Sequence, residues 1–271
     1  VCTKNGTSVY DLRKKSFYIP KINNYFPDYE VRHIEYIEYD DSWWLATSDG
    51  LVRYQNEHQS IRHFYYIKGV EASLPDNNLR CMHKIDDKRI FIGTANGLCL
   101  LNVETESIER IDLNSLTNYK STKIDVSKII SFNDDEIMIA TYTDGLYIYN
   151  HKKKTATHIS KFDRRNAISD NYIFDAFKDI NGSVWIATYA GLNRFENNLA
   201  NFSTVSLFQN GYILSINYFL EMKNDDFLLG TESGIKIFNI NDESIKDFKT
   251  YFNSKEDYFE SLYVSHQHYN K

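Results

Sequence analysis

The sequence of 271 residues has little cysteine, and its three cysteines are too few for a scaffold held by disulfides. Cys81 and Cys99 are predicted on the first and third strands of one sheet, which would separate their Cα atoms by about 9–10 Å. A disulfide requires Cα atoms closer than about 7 Å. We therefore expect free thiols at both positions.

The sequence also lacks the marks of several functional classes. No apolar run approaches the ~20 residues that span a membrane. The net charge is −6 with scattered lysines and arginines, so nucleic acid is not an expected partner. No glycine-rich phosphate loop, Gly-x-Ser-x-Gly or Cys-x-x-Cys occurs. His266 and His268 have alternate spacing but no third metal ligand is indicated, so neither a metal nor a cofactor is expected.

What the chain does contain is one phrase, repeated at a nearly constant interval. It runs from a large apolar residue through a small residue and a threonine to a glycine, as in Trp44–Gly50. The threonines stand at positions 3, 47, 94, 141, 188 and 231, so the steps are 44, 47, 47, 47 and 43 residues. Such a period, built from short strands, predicts the blades of a β-propeller.

The phrase itself alternates by twos, which is typical of a strand. Each copy places a large apolar residue two positions before a small one, which suits blades that approach closely near an axis. These pairs are Trp44/Ala46, Phe91/Gly93, Met138/Ala140, Trp185/Ala187 and Leu228/Gly230. Trp44 and Trp185 are accordingly predicted in the core. The glycine after the threonine suits a tight turn that requires a positive φ.

Four strands are predicted in each repeat: one before the phrase, the phrase, one after its glycine and a more polar outer strand. The fold class is therefore all-β, a propeller of four-stranded antiparallel blades with about six repeats over residues 1–271. The repeats are predicted around 1–20, 29–67, 77–112, 122–160, 171–205 and 212–249, with a partial repeat at 258–271.

The two ends of the chain leave the number of blades open. Residues 1–6 read as the second strand of a repeat, whereas 258–264 read as a first strand without a second. The two partial repeats either complete one blade and close a ring of six, or the chain is an excerpt of a longer propeller, such as a seven-bladed one.

The clearest repeat resembles a known family. Ile168-Ser169-Asp170-Asn171-Tyr172-Ile173, followed by the segment 179–195, is similar to the two-component regulator propeller repeat. A second copy is Leu74–Leu79, which leads into 91–94. The resemblance implies a periplasmic sensor domain of a hybrid two-component histidine kinase from Bacteroidetes. Such receptors detect glycan fragments and regulate polysaccharide utilisation.

The resemblance also implies partners. Full-length members of that family carry two seven-bladed propellers, a small β-sandwich, a membrane span, a kinase and a regulator. The expected partners are thus the remainder of the receptor, a second copy in a homodimer of the full-length form, and an oligosaccharide ligand. This chain has no catalytic motif of its own and is not expected to bind nucleic acid.

Candidate ligand-binding residues come from one predicted face. In a propeller, the turns between second and third strands lie beside the connections that enter each first strand, and we call this face the rim. Its mixture of aromatic, amide and charged side chains is the kind that binds sugars, by stacking and by hydrogen bonds to hydroxyls. The candidates are Arg32, Asn78, Arg80, Tyr142, Asp144, Tyr172, Tyr189, Tyr212 and Glu232.

Within the sensor interpretation, the propeller either binds the ligand itself or is a scaffold, with the ligand held elsewhere in the full receptor. Two other functions also stay open at this point. A protein-interaction propeller would be favoured by a broad apolar surface patch. A propeller lyase would need an acid–base pair on the rim, such as a histidine with a glutamate. The only histidine near the predicted rim is His33, which follows Arg32.

Overall fold

The computed structural model describes residues 2–25, 29–196, 201–205, 207–209, 212–222, 225–248 and 250. The chain divides into two compact units, Val1–Ser131 and Phe132–Lys271, which are described separately below. The predicted partial repeat at 258–271 lies outside the described residues.

The first unit contains the first three repeats and the start of the fourth. Repeat 1 consists of two short hairpins, followed by a 3-10 helix, Lys21–Tyr25; its strands are Cys2–Thr3, Gly6–Thr7, Val9–Asp11 and Ser16–Tyr18. Repeat 2 contains Val31–Ile37, Ser42–Thr47, Gly50–Gln55 and Ser60–Phe64, with a 3-10 turn at Glu38–Asp40. Repeat 3 contains Leu79–Asp86, Arg89–Thr94, Gly97–Asn102 and Ile108–Ile111. A short α-helix, Leu113–Leu116, then precedes the strand Val126–Ser131.

The second unit holds the remainder of repeat 4 and the two repeats that follow it. Repeat 4 continues with the antiparallel strands Glu136–Thr141, Leu146–Asn150 and Thr155–Ile159. Repeat 5 contains Ile173–Lys178, Val184–Thr188, Gly191–Glu196 and Asn201–Val205. A hairpin of Phe208–Gln209 with Tyr212–Ile213 follows. Repeat 6 contains Ile216–Glu221, Asp226–Thr231, Gly234–Asn239 and Ile245–Asp247.

Repeats 2, 3, 5 and 6 each form one sheet whose four strands pair in chain order and antiparallel throughout. The prediction of an all-β propeller with four-stranded antiparallel blades is confirmed. Two strand starts differ from those expected. Repeat 4 begins its first strand at Val126, after an irregular segment at 117–125, and repeat 6 begins at Ile216, after a hairpin that ends at Ile213.

The core of each unit lies between neighbouring repeats, as the large–small pattern predicts. Trp44 and Ala46 are fully buried against Met82 and Ile92 of the next repeat. In the second unit Trp185 and Ala187 pack in the same way, against Ile216, Phe219 and Leu229 of the next repeat. Burial of these side chains supplies the main hydrophobic stabilisation of the sheets.

One small residue of this pattern has no space for a side chain. A Cβ on Gly93 would lie 2.5 Å from Cγ1 of Val126 and 2.8 Å from Sγ of Cys81. The Val126 side chain of the next repeat and the Cys81 side chain of the neighbouring strand therefore pack directly on the backbone of Gly93. Cys81 and Cys99 are free thiols, as expected, and burial raises the pKa of each to about 12.

Candidate ligand-binding rim

The threonine of the phrase builds each turn of the rim. Its hydroxyl donates to the carbonyl of the turn glycine in every copy, at 2.9 Å for Thr3–Gly6, 2.7 Å for Thr47–Gly50, 2.9 Å for Thr94–Gly97, 2.7 Å for Thr141–Gly145, 2.9 Å for Thr188–Gly191 and 2.7 Å for Thr231–Gly234. In five copies the same hydroxyl accepts a backbone N–H of the turn, from Asp49, Asn96, Asp144, Ala190 and Ser233. The threonine hydroxyl thus both donates and accepts a hydrogen bond within the turn, which explains why each copy of the phrase has a threonine at this position.

Backbone hydrogen bonds join each turn to the connections beside it. The residue after the threonine donates to the entry of its own first strand, with Ser48 to Glu30 at 2.9 Å and Ala95 to Asn78 at 2.8 Å. The turn glycine donates to the entry of the next repeat, with Gly50 to Asn77 at 2.6 Å. Turns and entries thus lie together within each unit, as the rim prediction requires.

The arginine candidates of the first unit tie one repeat to the next. Arg32 donates to the side chain of Asn78 and, at 3.0 Å, to the carbonyl of Leu79, and it pairs with Glu30 at 2.9 Å. Arg80 makes a two-pronged contact with Asp125, at 2.9 and 3.0 Å. Such paired guanidinium contacts hold the side chains in fixed positions. The structure thus brings Arg32 and Asn78 together and places Arg80 one repeat further along.

Two tyrosine candidates of the second unit lie side by side. The backbone N–H of Tyr189, in the turn of repeat 5, donates to the carbonyl of Tyr172 at 3.0 Å. Their side chains are 57% and 50% exposed. Tyr142 is half-buried and its ring meets the edge of Phe174 with centroids 6.3 Å apart. The second unit therefore presents two exposed phenol rings on adjoining backbone segments.

The remaining candidates differ in their surroundings. Asp144 is buried in its turn, where Thr143 donates to its carboxylate at 3.3 Å. Glu232 is exposed in the turn of repeat 6. Tyr212 is 79% exposed but was predicted at a strand entry, and this placement is wrong: it lies in the hairpin with Gln209, and the strand begins four residues later.

Sequence reasoning missed a group of tyrosines in the first unit. Tyr65 and Tyr66 follow the outer strand of repeat 2 and are 36% and 41% exposed. The Tyr65 ring lies against Gly50, because a Cβ there would be 3.0 Å from its Cδ1. Tyr29 interacts with both Tyr65 and Asp49. The signal in the sequence was the run Phe64-Tyr65-Tyr66-Ile67, which stands outside the repeated phrase.

Titratable side chains also gather on the first strands of the first unit. His33 contacts Glu35 at 3.1 Å, with both side chains largely buried. Nε2 of His83 lies 2.8 Å from the hydroxyl of Ser131. Burial is the main cause that lowers the pKa of His83 to about 4. His33 and Glu35 are a histidine–glutamate pair, but they lie within a strand that packs in the sheet, paired with Ala46 and Trp44.

Among the described residues, no group of three or more histidine, cysteine, aspartate or glutamate side chains is arranged to hold a metal ion. Within the same residues, no helix has the length and apolar character needed to cross a membrane.

Comparisons with known proteins agree with the propeller fold. No family model matches the chain. A curated relative, histidine kinase P4 of Formosa agariphila, is 22% identical over 251 residues, which cover 89% of this chain and 18% of that protein. The chain thus spans about a fifth of the length of that relative.

Solved structures are similar over most of the chain. The extracellular domain of the putative hybrid two-component system BT3049 from B. thetaiotaomicron matches with a TM-score of 0.67 and 22% identity, over 87% of this chain and 30% of that one. PorZ, a surface component of the type-IX secretion system of Porphyromonas gingivalis, matches with a TM-score of 0.59 and 14% identity, over 84% and 35%. The chain therefore has the β-propeller fold found in extracellular domains of such receptors.

Proposed function

We propose that this chain is a sensor propeller of a two-component receptor and lies in the periplasm. The proposal is supported by the similarity to an extracellular receptor domain over most of the chain and to a histidine kinase. In this role the chain binds a ligand and transforms nothing, while the remainder of the receptor carries the kinase. The full-length receptor in this proposal is a homodimer with two states. A ligand changes its output only if the ligand has different affinities for the two states.

The ligand in this proposal is a glycan fragment, so that the receptor controls polysaccharide utilisation. The observation that carries it is the pair Tyr172–Tyr189, whose half-exposed rings stand on backbone segments joined by a hydrogen bond. A phenol ring stacks on the C–H face of a sugar, and its hydroxyl exchanges hydrogen bonds with the sugar's hydroxyls. Rings on a fixed backbone lose little conformational entropy on binding.

A thermal-shift screen of the purified chain against plant, host and microbial oligosaccharides tests this function. A ligand at 100 times its Kd stabilises a protein by about 2.7 kcal/mol, which shifts the melting temperature measurably. We expect one glycan class to give a shift that Tyr172→Ala and Tyr189→Ala abolish. Tyr212→Ala is the control, because it removes an exposed tyrosine from the hairpin of the same unit. A flat panel, or equal shifts in all variants, would rule out direct sensing by the pair.

A protein-interaction propeller is the second candidate, and one feature favours it. The hairpin of repeat 1 exposes Tyr10, Phe17 and Tyr18, with the rings of Tyr10 and Phe17 4.8 Å apart. An exposed apolar group of this kind is typical of a surface that contacts another protein. In this case Phe17→Ser would weaken binding of the chain to the rest of its receptor, and the glycan panel would be flat.

A further inference from the structure

A cluster of tyrosines occupies one corner of the rim in the first unit. We call it the aromatic corner: Asp49 and Gly50 of the turn, Tyr65 and Tyr66 after the outer strand, Tyr29 before the first strand, and Asn77 at the next entry. Gly50 donates its N–H to the carbonyl of Asn77 at 2.6 Å. The N–H of Tyr66 donates to the side chain of the same asparagine at 2.7 Å. Three chain segments therefore meet at one asparagine.

The rings of the corner are held in place although they are exposed. His63 stacks on Tyr65 with centroids 5.9 Å apart and planes 10° from parallel, and its Nδ1 lies 3.2 Å from the Tyr65 hydroxyl. The guanidinium of Arg110 lies 5.4 Å from the centre of the Tyr66 ring. Arg110 is itself fixed by the carbonyls of Ser73, at 2.8 Å, and Leu74, at 2.7 Å. An exposed ring that is already ordered costs little entropy when a ligand covers it.

The corner combines an apolar platform with a hydrogen-bond acceptor. Tyr29 interacts with Tyr65 and with the Asp49 carboxylate, so phenol groups and a carboxylate converge. The N–H of Asp49 is bound to Thr47 at 3.1 Å, which fixes the backbone of the aspartate. Rings that stack on C–H faces, next to a carboxylate that accepts hydroxyl hydrogen bonds, suit a sugar. Asp49 and the Arg110 guanidinium bring one charge of each sign to the corner, so these groups supply no excess positive charge that would favour a sugar with carboxylate or sulfate groups.

The backbone contacts of the corner do not require the aromatic side chains of Tyr65 and Tyr66. Repeat 4 forms an equivalent corner in the second unit, where Gly145 donates to the carbonyl of Asn171 at 3.0 Å. There the N–H of Lys161 donates to the side chain of Asn171 at 2.8 Å. Lys161 takes the place of Tyr66, and Ser160 that of Tyr65. Since the same backbone contacts form with serine and lysine at these two positions, they do not depend on the rings of Tyr65 and Tyr66.

We propose that the aromatic corner is a second binding site, for one sugar unit of a neutral oligosaccharide, with Tyr65 and Tyr66 as the stacking platform and Asp49 as the hydroxyl acceptor. It extends the proposed ligand recognition to a place outside the Tyr172–Tyr189 pair. This inference rests on the proposed function, because the ligand is again an oligosaccharide.

The test is calorimetric titration of the 271-residue chain with neutral hexasaccharides of glucose, xylose and mannose, and with acidic oligogalacturonate. We expect a neutral hexasaccharide to bind, with Kd raised at least about tenfold in Tyr65→Ala and in Tyr66→Ala. Tyr66→Phe keeps the ring and is expected to keep the affinity. Asp49→Asn retains a turn dipeptide that the chain already uses at Asn96-Gly97, and is expected to weaken binding. Urea unfolding shows whether each variant is folded.

The variants also separate this site from the pair in the second unit. Loss of affinity in both Tyr66→Ala and Tyr189→Ala supports both sites, whereas loss in Tyr66→Ala alone supports the corner and contradicts the pair. Loss in Tyr189→Ala alone overturns the corner and leaves the proposed function standing. No neutral binding, tighter binding of oligogalacturonate, or an unchanged Kd in folded Tyr65→Ala and Tyr66→Ala likewise overturns the corner.

Discussion

The aromatic corner of repeat 2 and the equivalent corner of repeat 4 share a backbone and differ in surface. In both, a threonine hydroxyl binds the turn glycine at 2.7 Å, and that glycine binds the carbonyl of an asparagine in the next repeat. The first corner then presents Tyr65 and Tyr66, whereas the second presents Lys161, paired with Asp170 at 2.9 Å. The comparison teaches that threonine, glycine and asparagine specify the corner, whereas the residues between them differ and are those to which we assign recognition.

The largest expected effect tests the shared backbone. A Cβ on Gly145 would lie 2.4 Å from the carbonyl oxygen of Ile159, and one on Gly50 2.6 Å from that of Phe64, at φ of +73° and +98°. We expect Gly145→Ala and Gly50→Ala each to lower the free energy of unfolding by about 3 kcal/mol, from backbone strain plus steric overlap. Urea unfolding measures the change.

Gly69→Ala is the control for the glycine variants. Its φ is +80°, but no atom lies within 4 Å of the added Cβ. Only the backbone strain remains, so the expected loss is about 1 kcal/mol. Equal losses in all three variants would contradict the close approach at the corners.

The threonines provide the second test, because their hydroxyls are fully buried in both corners. Thr47→Val and Thr141→Val keep the shape and remove a donor to the glycine carbonyl and an acceptor for a turn N–H. We expect each to cost about 2 kcal/mol of unfolding free energy, with the same value in both corners. Thr47→Ser keeps the hydroxyl, so its loss of unfolding free energy should be less than half that of Thr47→Val. Equal losses in the two variants would show that packing, rather than the hydrogen bonds, causes the effect.

A pH dependence distinguishes the two units. His83 stands where repeat 5 has Phe177, each paired with the large apolar residue of its phrase, and burial lowers the pKa of His83 to about 4. Glu35 opposes this shift, while His33 and Lys128 add to it. In the unfolded chain the His83 imidazole takes up a proton near pH 6.5, whereas in the folded chain it does so only near pH 4. Stability is therefore lost as the pH falls through this window, by about 1–2 kcal/mol after solvent screening.

The measurement is urea unfolding at pH 7.0 and 4.5 for the native chain and for His83→Phe, which copies the residue of repeat 5. We expect the loss of unfolding free energy between the two pH values to be smaller in His83→Phe than in the native chain, by about 1–2 kcal/mol. An identical pH dependence in both proteins would show that His83 does not cause it.

The smallest expected effect concerns the asparagine side chains. Asn77→Ala and Asn171→Ala each remove one acceptor, for the N–H of Tyr66 and of Lys161 respectively, and leave the backbone carbonyl in place. Each should cost about 1 kcal/mol. Amide hydrogen exchange should rise at the residue whose partner is removed and not at the other corner; exchange that rises nowhere would mean that the side chain does not hold the corner.

The repeated phrase was sufficient to predict the strands and the inner packing. The four-stranded blades, the buried Trp44 and Trp185 and the free Cys81 and Cys99 are confirmed, because periodicity and side-chain size follow directly from the residues. The meeting of turns and strand entries within each unit was also predicted, since the repeats place both on one face.

The connections between repeats were harder to predict, because they do not repeat. The hairpin before Ile216 places Tyr212 away from the entry expected for it, and an irregular segment at 117–125 precedes the start of repeat 4 at Val126. Tyr65 and Tyr66 belong to such a connection, so the phrase gave no reason to single them out. The contact of Arg32 with Asn78 depends on how two repeats pack, which the sequence pattern does not encode.

The most direct test exchanges the surface of one corner for that of the other. In Tyr65→Ser/Tyr66→Lys the aromatic corner takes the residues of repeat 4, and both urea unfolding and titration with the neutral hexasaccharides are measured. The account predicts an unfolding free energy within about 1 kcal/mol of the native chain, because the scaffold is shared, together with at least about a tenfold loss of affinity. A loss of several kcal/mol of stability, or an unchanged affinity, would contradict the separation of scaffold from recognition.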